Sequence, residues 1–140
     1  MQKHSTVLLF FVLAAASRGA DLDHSGWDAL LKTFVTPESR VDYQDLKARG
    51  VQSLDSYLGE LAAPWPEEME PEEVKAALIN AYNALTVRWI LSNYPVESIW
   101  RTNDPFRVAR HTLDGAPTSL DQIEGRLREM GDPRIHSALV

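Results

Sequence analysis

Residues 71–93 read PEEVKAALINAYNALTVRWILSN, and the way this stretch folds decides the rest of the chain. Pro71 suits the first turn of a helix, and Glu72 and Glu73 stand where the helix dipole favours anions. Asn93-Tyr94-Pro95 supplies the stop, because the residue before a proline is pushed out of the helical region. Between these signals Val74, Ala77, Leu78, Ile79, Ala81, Tyr82, Leu85, Val87, Trp89, Ile90 and Leu91 cover nearly the whole circumference. A helix apolar on every side is buried, so the spacing predicts a central, buried helix over about 71–93. Asn80 and Asn83 then stand out. A buried amide left unpaired costs about 1–3 kcal/mol, so each needs a specific partner. Two roles are open to them: tying loop backbone to the helix, or serving a catalytic centre.

Amphipathic segments surround this helix on both sides. Trp27, Leu30, Leu31, Phe34 and Val35 form one helical stripe, with Ser25 and Asp28 as a capping-box-like start and Pro37 as the stop. Residues 40–43 read as a short extended segment. A charged helical turn follows, and Gly50 is expected to close it in the left-handed conformation. Ser53 is placed to cap the next helix, whose stripe is Leu54, Tyr57, Leu58, Leu61 and Ala62. Pro64, Pro66 and Pro71 bracket an acidic loop, whose glutamates read as a solvated face. Beyond the central helix, the alternation from Val108 to Leu113 and the Asp114-Gly115 dipeptide predict a small β-hairpin at about 107–118. Ser119 with Gln122 caps a further helix carrying Leu120, Ile123, Leu127 and Met130, closed by Gly131. The fold class expected is α+β, mainly helical.

The 140 residues allow at most one ordinary domain, and 44% hydrophobic with 24% charged residues is a folding composition. The net charge of -6 offers no positive field for a phosphate backbone, so nucleic acid is not an expected partner. There is no cysteine, which removes disulfides, thiolate metal sites and a thiol nucleophile. The short basic start and the apolar run Thr6–Ala16 read as a secretory signal peptide, residues 1–19, since eleven residues are too few to span a bilayer. Its removal takes Lys3 and Arg18, leaving 12 basic against 20 acidic side chains and a net charge of -8. The mature product is expected to be exported, periplasmic or secreted, with no membrane association of its own.

Chemistry-bearing motifs are few. Of the four histidines, His4 leaves with the signal and His24 lies in the mature terminus; His111 and His136 remain as candidate bases, although a lone histidine among apolar neighbours is commonly a hydrogen-bonded core residue. No His-x3-His or Cys-x2-Cys spacing supports a metal, no G-x-S-x-G elbow supports a serine nucleophile, and no glycine-rich phosphate loop is present. No cofactor is expected.

The motifs Asn80-Ala-Tyr-Asn-Ala-Leu-Thr86, Asp132-Pro-Arg-Ile-His136, Arg40-Val-Asp-Tyr43, Tyr94-Pro95-Val96-x-Ser98-Ile99 and Ser119-Leu-Asp-x-Ile-Glu124 stand at separate places along the chain. Together they make residues 27–140 resemble the DUF547 family. The resemblance implies a mostly helical α+β protein, often exported from bacteria, with no established activity. It also implies that Asp-Pro-Arg-Ile-His is followed by a Phe, a short apolar strand and a cysteine-containing stretch. Here Ser137 takes the Phe position and the sequence ends at Val140, so the domain, residues 20–140, is expected to be incomplete at its C terminus. Ala77-Leu78 stands where an aromatic pair usually precedes Ile-Asn-Ala-Tyr-Asn.

For an intact relative the resemblance suggests a thiol-hydrolase-like site, with His136 or His111 as base and Asn80 or Asn83 as orienting group. Tyr82, Asp132 and Arg134, inside the same motifs, are candidate binding residues. Two other readings stay open: a non-catalytic binding or structural module with a protein partner, and a fragment whose apolar scar lies around residues 134–140.

Overall fold

The computed structural model describes residues 21–140, and the expected signal peptide lies outside them. Among the described residues the architecture is mainly helical with one small antiparallel hairpin, as the patterning predicts. The helices are α1 Ser25–Phe34, α2 Tyr43–Arg49, α3 Val51–Ala62, α4 Pro71–Asn93, α5 Leu120–Glu129 and α6 Ile135–Ala138. The strands are β1 His111–Leu113 and β2 Ala116–Thr118, and a 3-10 turn spans Ile99–Arg101.

The axis is α4, which begins and ends where Pro71 and Tyr94-Pro95 place its limits. Glu73 accepts the Glu70 N–H at 3.1 Å, closing a capping box around Pro71. Every residue from Ala77 to Val87 is buried, so no face of this stretch meets water. Helices α3 and α5 pack on it, and α1 packs against α3. The core joins Trp27, Leu30 and Phe34 of α1 and Leu54, Tyr57 and Leu61 of α3 to α4, with Leu120, Ile123 and Leu127 of α5 completing it.

Three local expectations are corrected. Ser25 is the first helical residue of α1 and not its cap; His24 occupies the cap position, and the Ser25 N–H donates to Asp23 Oδ1 at 2.9 Å. Gly50 is right-handed, with φ -115°, and serves as the hinge between α2 and α3. A Cβ there would come 2.5 Å from Leu46 Cδ1 and 2.7 Å from Phe34 Cε2, so close packing and not backbone handedness calls for glycine. Because α3 starts directly at Val51, Ser53 lies inside the helix and caps nothing.

The hairpin is shorter than 107–118. Its ladder runs only from His111 opposite Thr118 to Leu113 opposite Ala116. Arg110 is drawn off it: its guanidinium donates to the carbonyls of Asp104 (2.7 Å) and Asn103 (2.9 Å) and lies 4.0 Å over the Trp89 ring. At the turn, Asp114 (φ 51°) and Gly115 (φ 72°) adopt the left-handed pair that a two-residue hairpin loop requires. Their amides donate to Leu61 O at 3.0 Å and Ala62 O at 2.8 Å, so the hairpin satisfies carbonyls at the end of α3.

Ser119 and Gln122 form both arms of their capping box at 3.1 and 2.8 Å, as the sequence predicts. After α5, Gly131 takes φ 75°. The segment then turns back onto α4, where Ile135 and Ala138 are buried and Leu139 is half-buried, while Val140 is 64% exposed.

Candidate functional site

Four polar side chains of α4 are buried: Lys75, Asn80, Asn83 and Thr86. Lys75 sits near the start of the helix. Its Nζ donates to Glu72 Oε1 at 3.0 Å and to Asp132 Oδ2 at 3.1 Å, reaching across 57 residues of sequence to the second contact. Asp132 is held as well by Arg134, which reaches both of its oxygens. That guanidinium donates from Nη2 at 2.6 Å and from Nε at 2.9 Å, and the Arg134 backbone N–H adds a bond at 3.0 Å. These Arg134 hydrogen bonds, together with Lys75, hold the Asp132 carboxyl well below the usual carboxylate range. Glu72, then Asp132, raise Lys75 above its ordinary value.

Two turns further along, about 12 Å by helical rise, Asn83 makes the second attachment. Its Nδ2 donates to Ala138 O at 2.8 Å, and its Oδ1 accepts the Val140 N–H at 2.9 Å. The segment from Asp132 to Val140 is therefore fastened to α4 by an ion pair at one end and by an amide at the other. Both polar atoms of Asn83 are engaged by backbone, and neither makes a hydrogen bond to His111 or His136.

Asn80, three residues earlier, faces different company. It lies beside Tyr57 of α3, and its Nδ2 is buried without a hydrogen-bond partner. The Tyr57 hydroxyl is paired with His24 Nδ1 at 2.7 Å, and the Tyr57 ring stacks on Trp27. Burial raises the Tyr57 hydroxyl above its ordinary value and lowers His24, since each would have to carry charge in an apolar place.

His111, in β1, is half-buried with its Nε2 unpartnered. Burial, then the adjacent Arg110 charge, pushes it down to about 4. His136 is exposed on α6. Tyr82 is buried, and its hydroxyl is raised by that burial and by Glu124 and Asp121. No hydrogen bond or ion pair among the described residues joins any two of Asn80, Asn83, His111 and His136.

Sequence reading missed Lys75, His24 and Tyr57. A single lysine at the edge of the helix's apolar stretch, three residues after Glu72, was the available signal for Lys75. For the His24–Tyr57 pair no local signal exists, as 33 residues separate them. Among the described residues no group of three or more His, Asp or Glu side chains gathers as metal ligands, and no helix is long and apolar enough to cross a membrane.

Residues 66–140, more than half of the chain, match the family described as "Protein of unknown function, DUF547". The match takes in α4, the hairpin, α5 and α6, and so both attachments of the final segment. The 40–43 motif lies outside it. No curated protein and no solved structure matches the chain.

Proposed function

The chain belongs to the DUF547 family of proteins of unknown function, and we propose that this member is exported and acts as a non-catalytic binding or structural module. In this reading Lys75, Asn83, Asp132 and Arg134 hold a surface segment in a fixed shape. The observation that carries it is the double engagement of Asn83: its donor and acceptor both serve backbone at 138 and 140. An orienting amide in a hydrolase would be hydrogen-bonded to the imidazole, and Asn83 bonds neither His111 nor His136.

Export is supported by the basic start, the eleven-residue apolar run and the small residues Ser17 and Gly19 before the expected cut. Residues 20–140 are read as one domain, and what supports this is the core that α1 and α3 share with α4. The competing reading, part of a thiol-hydrolase-like site whose nucleophile lies beyond Val140, draws on one fact: His136 is exposed on the segment that Asn83 fixes.

Two measurements test the proposal. Full-length protein expressed in a bacterial host should be recovered outside the cytoplasm with a new N terminus near residue 20; an intact Met1 on cytoplasmic protein contradicts export. Turnover of p-nitrophenyl acetate should be the same for the chain and for its His111→Ala and His136→Ala variants. A tenfold loss in either variant, with the fold intact by circular dichroism, would favour the catalytic reading.

A further inference from the structure

We propose that the loop 99–110 is a membrane-surface contact that seats Trp100 at the headgroup level of an anionic bilayer. Trp100 is 76% exposed and Val108 43%, and the half-buried Phe106 ring lies against Trp100 with 4.8 Å between centroids. Scattered apolar residues at a surface need no explanation, but a cluster of this kind in one loop does.

The loop is braced from within, so the indole is presented and not merely loose. The Trp100 backbone N–H donates to Ser98 Oγ at 3.3 Å, and Trp89 Nε1 donates to Thr102 Oγ1 at 2.7 Å. The Thr102 hydroxyl in turn donates to the Ile99 carbonyl at 2.6 Å. Arg110 pins the carbonyls of residues 103 and 104, and Asp121 N–H holds Phe106 O at 3.0 Å.

Charge selects the partner. Residues 97–110 carry Arg101, Arg107 and Arg110 against Glu97 and Asp104, whereas the rest of 21–140 carries 9 basic and 18 acidic side chains. An acidic protein therefore bears one loop with an excess positive charge, and Trp100, the exposed aromatic among the described residues, lies in that same loop. Arg101 and Arg107 rest on Glu97 and Asp104 at 3.2 and 3.3 Å, with both arginines more than two thirds exposed. Pairs so open to solvent are weak, and lipid phosphates can replace the carboxylates. Tryptophan beside arginine is the pairing that settles at a headgroup boundary, with the ring in the apolar edge and the cation at the phosphates. An acidic protein surface would answer the arginines but leave the apolar side chains uncovered.

The test is co-sedimentation of the full chain with phosphatidylcholine vesicles, with and without phosphatidylglycerol, at low and high salt. Binding should require the anionic lipid and fall with salt. It should weaken roughly fivefold or more for each charge reversed in Arg101→Glu and Arg107→Glu, and Trp100→Ser should weaken it with the fold unchanged. Equal binding to neutral vesicles, no binding at low salt, or an undiminished Trp100→Ser variant overturns the proposal. So does concentration-dependent self-association without lipid that Trp100→Ser abolishes, since the occupant is then a second copy.

Discussion

Asn83 and Val140, 57 residues apart, are joined by a backbone N–H donating 2.9 Å to a side-chain carbonyl, while the same amide donates 2.8 Å to Ala138 O. The residue between, Leu139, is extended at φ -89° and ψ 137°. An extended residue flanked by an N–H and a C=O pointing the same way is what a neighbouring strand would pair with. Here one asparagine side chain, itself a primary amide, makes that pairing from inside a helix.

Replacing Asn83 should therefore be costly in a graded way. Asn83→Leu removes both bonds and strands two backbone groups, an expected loss of about 1–3 kcal/mol in urea denaturation. Asn83→Asp keeps the acceptor but sets a carboxylate against the Ala138 carbonyl, and should be at least as damaging. A change under about 0.5 kcal/mol for both would mean the contact contributes little.

Asp132 gives the chain an acid-sensitive fastening. Its folded-state pKa is depressed, so the stability it contributes is present above the unfolded value of about 3.9 and is lost as pH falls through the lower folded value. Asp132→Asn should flatten the fall in stability on the acid side of about pH 4. Parallel acid-denaturation curves for the two proteins would contradict this.

The two perturbed histidines act in the same direction. Both His24 and His111 have lowered folded-state values, so the unfolded chain binds protons first as pH drops below the ordinary value of about 6.5. Their contribution is complete above that value and declines as pH falls toward the folded ones. His111 ring resonances should titrate at about 4, and a midpoint near 6.5 would show that the ring is open to water.

Two glycines should respond oppositely to alanine. Gly50→Ala would drive a Cβ to 2.5 Å from Leu46 and 2.7 Å from Phe34, with an expected cost of about 1–3 kcal/mol. Gly59 lies inside α3, where an added Cβ would meet nothing within 4 Å, and the same change there should gain about 0.5–1 kcal/mol. Thermal unfolding of the pair decides both signs.

The sequence displays α4 because an apolar pattern on every side is a one-dimensional property, readable without knowing any neighbour. Turn and capping signals are local too, so Ser119 with Gln122 and Asp114-Gly115 fall where expected, whereas Ser25 and Ser53 lie inside α1 and α3 and cap neither. Gly50 is misread because its reason is the approach of Phe34, a residue of another helix. The hairpin is overextended because Arg110 answers to Trp89 and to two loop carbonyls. The site follows the same rule. Burial alone marks Asn80 and Asn83 as needing partners, but what they meet is tertiary: backbone at 138 and 140 for Asn83, whereas the Nδ2 of Asn80, beside Tyr57, stays without a hydrogen-bond partner against that expectation.

Hydrogen exchange at the Val140 amide tests the central relationship most directly. In the native chain at neutral pH this amide should exchange more slowly than in the Asn83→Leu variant, with the α4 core equally protected in both. Equal Val140 exchange in the two proteins would contradict the claim that α4 holds the final segment through Asn83.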